Sequence, residues 1–333
     1  MGVTVRTARA LAWASLVGNA VLVLSGGAVR LTESGLGCPT WPRCTDESLV
    51  PHGELGLHGA IEFGNRILGV ALALVAIATW VAVLRLRPAA GPARRTATLL
   101  ALGVPAQALL GGVTVLTDLN PWIVAWHLML SMALIALAVL LIRQLAGPSP
   151  PATVPMPVVW LVRVTYATCW LVLYAGTVVT GSGPHAGDAA SPRNGLDPAS
   201  VSQAHADLVF LLVGLTVGTV FALRACGAPD TLVRAAAALL AVELAQSTIG
   251  LVQYATDLPL ALVAAHLLGA SVLTAVATWL WLATESAHPR HAARPATPGT
   301  AARSDDAVAA DDRAEGGQRR NGSTATARKS RAR

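Results

Sequence analysis

The sequence predicts an all-α membrane protein with eight transmembrane helices arranged as two pseudo-symmetric four-helix bundles. Of the 333 residues, 54% are hydrophobic and only 13% are charged, whereas soluble domains carry about 25% charged residues. Apolar runs of roughly 20 residues, the length that crosses a bilayer, occur eight times. We place the spans at roughly 11–29, 58–84, 96–117, 122–142, 157–179, 202–223, 235–255 and 259–283.

The distribution of arginine predicts how these spans are oriented. Loops on the cytoplasmic side of a membrane carry an excess of Arg and Lys. Four arginines lie in the short segment 85–95, whereas the longer loops at 30–57 and 180–201 hold only three between them. We therefore expect a protein of the cell membrane, with both termini in the cytoplasm and these two loops outside.

The ends of the chain differ in composition from the spans. We expect residues 1–10 to be a cytoplasmic N-terminus, 11–147 and 148–284 to form the two bundles, and 285–333 to be a disordered basic tail, because the tail has no apolar period. A basic tail can bind nucleic acid, but contact with the anionic leaflet of the lipid bilayer is the favoured alternative. We expect no nucleic-acid partner. The sequence leaves open whether the chain forms a homo-oligomer.

An internal repeat supports the two-bundle arrangement. The segment 107–127, QALLGGVTVLTDLNPWIVAWH, matches the segment 246–266, QSTIGLVQYATDLPLALVAAH, at an offset of 139 residues. The segment RLTESG at 30–35 likewise matches VVTGSG at 178–183. Four spans followed by four spans in parallel orientation is the simplest architecture with this repeat. The repeated Asp-Leu pairs are expected to form tight turns before spans four and eight.

Four histidines lie near the outer ends of the even-numbered spans, which all run from outside to inside. They are His58, His127, His205 and His266. We expect all four at a similar depth. A single histidine near a membrane interface is more often an anchor than a ligand, but four in repeated positions favour a functional site. Neutral imidazole is a good axial ligand of haem iron, and four-helix bundles hold such sites in their cores.

The two halves are not equivalent at these positions. His205 and His266 are 61 residues apart, and the same interval counted back from His127 reaches Arg66, beside Asn65. Neither of these is a histidine. The second bundle is therefore expected to hold a haem that is ligated on both faces, which suits electron transfer.

The first bundle instead combines His127 with a polar face of span two. His58, Glu62 and Asn65 follow one another at spacings of four and three residues, so they share one face of a helix. A partly ligated haem beside a carboxylate is a place for chemistry, and Glu62 is suited to accept protons. The alternative for Glu62 is a carboxylate that only complements the helix N-terminus.

Four further residues lie near the outer boundary. Cys38 and Cys44, in GCPTWPRC, belong to a loop predicted to be outside, where conditions favour a disulfide. A cysteine metal site is disfavoured, because no second ligand pair lies near them in sequence. Arg30 and Arg66 are candidate partners for haem propionates, since arginine pairs bidentately with carboxylates. Snorkelling to the interface is an equally good explanation.

Together these features resemble the haem A synthase family over about residues 11–283. The resemblance is carried by GGAVRLTESGLGCPTWPRC, IEFGNR, the histidine of WIVAWHLML, TGSGPHAGD, His205 and His266. It implies two four-helix bundles, with a haem b cofactor on His205 and His266 and a haem O substrate that meets His127.

The resemblance also implies an activity. Members of this family oxidise a methyl group of haem O to the formyl group of haem A, by two successive hydroxylations and loss of water. Glu62 matches the glutamate that the family ties to catalysis, and Cys38 and Cys44 match its loop cysteines. Haem O synthase and cytochrome oxidase assembly are the implied partners.

Asn65 is the departure from the family pattern, which has histidine three residues after the glutamate. His58 is an alternative ligand, but two helical turns, about 11 Å of rise, separate it from Asn65, and an interface role explains it equally well. Two other functions stay open. A di-haem b-type electron-transfer protein needs two matched ligand pairs, and a haem carrier without a redox role needs a translocation path.

Overall fold

Eight α-helices make up most of the protein in the computed structural model, which describes residues 3–87, 91–147 and 153–288. The helices are α1 (Val5–Leu31), α2 (Gly56–Leu84), α3 (Gly91–Leu116), α4 (Pro121–Leu145), α5 (Met156–Ser182), α6 (Pro198–Ala225), α7 (Asp230–Ala255) and α8 (Leu260–Ser286). All eight are long and apolar enough to cross a membrane. The predicted all-α, multi-pass fold is confirmed.

The helices pack as two rings of four. In the first ring, α1 and α3 each contact both α2 and α4, and in the second ring α5 and α7 have the same relation to α6 and α8. The diagonal pairs, α2 with α4 and α6 with α8, make no contact within the described residues. Packing of α8 against α1 and α4, and of α5 against α4, joins the rings into one compact unit. This is the arrangement that the repeat predicted.

The first helix begins earlier than expected. It starts at Val5 rather than near residue 11, because Thr4 caps it and its Oγ1 atom accepts a hydrogen bond of 3.2 Å from the backbone N–H of Thr7. The helix therefore includes residues 5–10, which the sequence assigns to the cytoplasmic N-terminus.

The last helix extends beyond the predicted boundary at 284. It ends at Ser286, and Glu285 accepts two hydrogen bonds from Arg163 of α5, at 2.6 and 2.9 Å. The predicted tail therefore begins later than residue 285. Its remainder, residues 289–333, lies outside the described residues.

Matching left-handed turns precede α4 and α8. Asp118 and Leu119 have φ of 51° and 58°, and Asp257 and Leu258 have φ of 58° and 57°. The second residue of each turn donates a 2.8 Å hydrogen bond to a carbonyl five residues earlier. The predicted tight turns are confirmed, and the repeat extends to their backbone conformation.

Four connections meet at one end of the rings, which we call the loop end. They are residues 32–55, 117–120, 183–197 and 256–259. The N–H of Gly35 donates to the carbonyl of Gly187 at 2.9 Å, and Nε2 of His185 donates to the carbonyl of Leu258 at 3.2 Å. The loops of the two halves are therefore hydrogen-bonded to each other.

One aromatic residue fixes the first loop onto the helices. The ring of Trp41 lies so close to Gly112 of α3 that a β-carbon at this position would overlap it. Glycine is required here because a loop side chain occupies the space that a larger residue would fill.

Candidate functional site

His205 and His266 face each other across the second ring. They lie seven residues after Pro198 and six residues after Leu260, the first residues of their helices, so their depth is matched. The two helices, α6 and α8, lie diagonally in this ring, so both imidazoles are carried by one bundle at a similar distance from the loop end. The second predicted ligand pair is thus brought together.

Both imidazoles have unused nitrogen atoms. The Nδ1 atoms of His205 and His266 are buried and have no hydrogen-bond partner among the described residues. The backbone carbonyls of Val172 and Gln246 face these rings without forming a hydrogen bond of normal geometry. Buried polar atoms are normally paired, so this pair of rings is a candidate for binding a group that the chain does not itself supply.

Three histidine rings share one mode of packing, in which a glycine of the preceding helix lies against Cε1. The pairs are Gly111 with His127, Gly176 with His205 and Gly250 with His266. A β-carbon on these glycines would lie 2.8, 3.3 and 3.5 Å, respectively, from Cε1. Each glycine therefore makes room for the ring beside it.

Asn65 lies on α2, one residue from the place that corresponds to His205 in the repeat. Its Oδ1 atom accepts a hydrogen bond of 2.7 Å from the Ser25 hydroxyl of α1, the preceding helix. Its Nδ2 group donates no hydrogen bond within the described structure. His127, on the diagonal helix α4, is half-buried. The first ring therefore places an amide where the second has an imidazole.

His58 does not share the depth of the other three histidines. It lies two residues after Gly56, in the first turn of α2, and is exposed, with Nδ1 at 3.0 Å from the Ser34 hydroxyl. The expectation of four histidines at one depth is wrong for this residue. A 3-10 turn at Gly53–Leu55 precedes α2, and it sets where the helix begins.

Glu62 is buried, with 5% of its surface exposed, and it faces the first loop. Its Oε2 atom accepts a hydrogen bond of 2.6 Å from the N–H of Cys38. Its Oε1 atom accepts bonds from Nη2 and Nε of Arg66, at 2.6 and 3.2 Å. It lies six residues into α2. A carboxylate that complements the free N–H groups of a helix lies in the first turn, and Glu62 is beyond that turn.

Arg66 binds loop backbone, and Arg30 binds one backbone carbonyl near the end of α5 and one in the loop that follows it. Arg66 donates to the carbonyls of Cys38, Thr40 and Arg43 at 3.3, 3.0 and 3.1 Å. Arg30 donates to the carbonyl of Thr180 at 2.7 Å and to that of His185. These guanidinium groups fix the loop end over the rings.

Cys38 and Cys44 are fully buried in the first loop. Their sulfur atoms lie 2.00 Å apart, at bonding distance. The backbone N–H of Cys38 also donates to Glu62. The cysteine pair is therefore hydrogen-bonded to the polar face of α2.

Sequence reasoning overlooked a buried acid in the second ring. Glu243 lies in the middle of α7 with 3% of its surface exposed, and its Oε1 atom accepts a 2.7 Å hydrogen bond from the Thr216 hydroxyl. Its Oε2 atom has no partner among the described residues. An acid inside an apolar span is itself a signal, but the repeat does not mark it, since Val104 stands at the matching position of α3.

Comparison with known proteins identifies the family to which this chain belongs. A model of the family described as cytochrome oxidase assembly protein matches residues 9–191, which is more than half of the chain. The chain belongs to the cytochrome oxidase assembly protein family. The match includes Glu62, Asn65 and His127, whereas His205 and His266 lie beyond it.

The curated relatives of this chain include several haem A synthases. The chain is 30% identical to haem A synthase of Halalkalibacterium halodurans over 172 residues, 49% of this chain and 56% of the relative. It is 29% identical to haem A synthase of Shewanella oneidensis over 142 residues, 38% of this chain and 42% of the relative. The match therefore spans about half the length of these two proteins.

A longer match extends to both rings. Haem A synthase of Bradyrhizobium sp. (strain BTAi1) is 28% identical over 346 aligned residues, covering 86% of this chain and 93% of the relative. The similarity therefore includes the second ring of this chain.

Proposed function

We propose that this chain is a haem A synthase, which oxidises the methyl group of haem O to the formyl group of haem A by successive hydroxylations, for cytochrome oxidase assembly. The observation that carries the proposal is the asymmetric pair of sites. Two facing imidazoles lie in the second ring, and one imidazole and a polar helix face lie in the first. Membership of the family and the names of the relatives support it.

The second ring fits a haem b cofactor held by His205 and His266. A bare metal ion normally takes at least three protein ligands, and the described residues contain no group of three or more His, Cys, Asp or Glu side chains that could hold one. Two opposed imidazoles instead suit an iron whose other ligands come from a macrocycle. The unpaired Nδ1 atoms and the separation of α6 from α8 support the same assignment.

The first ring is the proposed substrate site, with His127 as the iron ligand. Haem O supplies the iron and the methyl group that is oxidised. Glu62 is the proposed catalytic carboxylate, because it is buried beside this ring on the helix face that also carries Asn65. Arg66 and the loop hold it in place and exclude water. We assign Arg30 and Arg66 chiefly to the loop contacts that they make.

The location follows from the same proposal. We infer a protein of the cell membrane with both termini in the cytoplasm and the loop end outside, because the arginine-rich connection lies opposite the loop end. The outside is oxidising, which supports a disulfide between Cys38 and Cys44. Haem O synthase, as the source of the substrate, is the proposed partner.

The test is to purify the protein from cells with and without haem O synthase and to identify the extracted haems by chromatography. We expect haem b in both samples, and haem A or a hydroxylated intermediate only with haem O synthase. His205→Ala and His266→Ala should each remove the b-type spectrum, and His52→Ala, in an exposed loop, should not. Haem b alone despite abundant haem O refutes the enzyme. Two low-spin haem b per chain, with no haem A despite abundant haem O, would indicate an electron-transfer protein instead.

A further inference from the structure

We propose that the haem in the first ring has His127 as its only protein ligand, and that Asn65 and Ser25 form a polar pocket at its sixth coordination position. This pocket would take a small ligand that accepts a hydrogen bond, such as water, hydroxide or cyanide. The inference rests on the proposed function, since it concerns the haem site of the first ring.

The geometry of the repeat places Asn65 opposite His127. Four side chains on even-numbered helices each contact the helix that precedes their own. The pairs are Asn65 with Ser25, His127 with Gly111, His205 with Gly176 and His266 with Gly250. Because α2 and α4 are diagonal in their ring as α6 and α8 are in theirs, Asn65 faces His127 as His205 faces His266.

The chemistry of Asn65 differs from that of an iron ligand. Its Oδ1 atom is held by the Ser25 hydroxyl at 2.7 Å, so the group left to face the site is the Nδ2 amide, which only donates hydrogen bonds. A donor cannot coordinate iron, but it stabilises an acceptor bound to iron. Asparagine is also shorter than histidine, which leaves room for a small ligand.

The other candidates for the sixth position are already engaged. His58 lies about two turns from Asn65 along α2, in the first turn, and its Nδ1 atom contacts Ser34. Glu62 uses both oxygens to bind Cys38 and Arg66. Asn65 with Ser25 is therefore the polar pair that remains opposite His127.

The experiment uses the purified full chain loaded with haem in cells that contain haem O synthase. Carbon monoxide is added to the reduced protein and cyanide to the oxidised protein, while absorption and electron paramagnetic resonance spectra report the spin state. We expect one low-spin haem that binds neither carbon monoxide nor cyanide and one high-spin haem that binds both. His127→Ala should remove only the second.

Variants of the pocket sharpen the test. Asn65→His should convert the reactive haem to low spin and lower its carbon monoxide occupancy at least about tenfold, because it supplies a second imidazole. Asn65→Ala should keep the open position but weaken cyanide binding roughly three- to tenfold, as expected for the loss of one hydrogen bond. The unchanged low-spin spectrum of the second ring shows that each variant is folded.

His58→Ala is the decisive control. We expect it to leave the spin state and carbon monoxide binding unchanged. A wild-type protein in which neither haem binds carbon monoxide overturns the inference, and if His58→Ala then restores binding, His58 is the sixth ligand. The ligand state can be read with either haem b or haem O in the first ring, whereas the haem A product tests the proposed function, so the two failures are distinguishable.

Discussion

The backbone N–H of Cys38 donates a hydrogen bond of 2.6 Å to Oε2 of Glu62, so a carboxylate within the second transmembrane helix holds the first loop. Arg66, one turn further along α2, binds the same carboxylate and the carbonyl of Thr40. The three groups form one network between the helix and the loop. Weakening any of these hydrogen bonds should therefore loosen the first loop at the end of the first ring.

Replacing Arg66 tests this network. Arg66→Lys keeps the charge but cannot reproduce bonds to one carboxylate and three carbonyls, because an ammonium group has no planar fork of donors. We expect a loss of about 1–3 kcal/mol in the free energy of unfolding and faster proteolysis within residues 39–55. Thermal denaturation in detergent and limited proteolysis measure the two effects.

Arg43→Ala is the matched control, because the side chain of this exposed arginine, among the described residues, hydrogen-bonds only to the carbonyl of Asp46 in the same loop. Equal proteolysis of the Arg43 and Arg66 variants would show that the network does not hold the loop.

The glycines beside the histidines predict a graded series. A β-carbon would approach Cε1 of the neighbouring imidazole most closely at Gly111, less closely at Gly176 and least at Gly250. Alanine should therefore reduce haem content strongly at Gly111, moderately at Gly176 and little at Gly250. The ratio of haem to protein after purification measures this. Gly214→Ala, with no atom within 4 Å of its β-carbon, should have no effect, and a uniform response would contradict the packing.

Glu243 and Thr216 should be energetically coupled. Thr216→Val removes the donor to a buried carboxyl group, and the expected cost is about 1–3 kcal/mol in the free energy of unfolding. In Glu243→Leu the threonine change should cost much less, so a double-mutant cycle should give a coupling of at least about 0.5 kcal/mol. Thr248→Val, at an exposed position of α7, the helix that carries Glu243, is the control. Additive effects would show that the contact is not formed.

Asp197 should make the start of α6 sensitive to acid. Its carboxylate accepts hydrogen bonds from the hydroxyl and N–H of Ser200, at 2.6 and 2.9 Å, and these bonds lower the pKa of Asp197 below its usual value. Because the folded pKa is the lower one, the cap stabilises the protein fully above roughly pH 4. This stabilisation is lost as the pH falls through the folded pKa.

Comparison of Asp197→Asn with Asp197→Ala tests whether protonation of Asp197 lowers the stability of the protein in acid. Asparagine caps a helix without titrating, so its variant should lose less thermal stability than the wild type on acidification from about pH 7 to roughly pH 3. Alanine should lower the stability at about pH 7 already. A wild type and an asparagine variant with parallel pH profiles would rule out the cap as the titrating group.

Local patterns in the sequence predicted most of the fold. The spans follow from runs of apolar residues, and the two rings follow from a repeat that also carries its turns at Asp118 and Asp257. The pairing of His205 with His266 was predictable because both lie on helices of known direction at a matched distance from the helix start.

Contacts between distant segments were not predictable. The spacing of His58, Glu62 and Asn65 shows that they share a helix face, but not that Glu62 meets Cys38, which lies 24 residues earlier in a loop. His58 was assigned the wrong depth although the predicted second span begins at residue 58 itself; it lies two residues into its helix, whereas the other three histidines lie six or seven residues into theirs. Glu243 was missed because its partner, Thr216, is on another helix and no repeat draws attention to it.

The contact of Trp41 with Gly112 has a consequence for how the protein is made. Trp41 leaves the ribosome well before α3 is complete, so the loop that contains it cannot close until a later helix has entered the membrane. Cys38 and Cys44 are inaccessible once the loop is closed. The disulfide that we propose between them is therefore expected to form during biosynthesis, before the first ring is assembled.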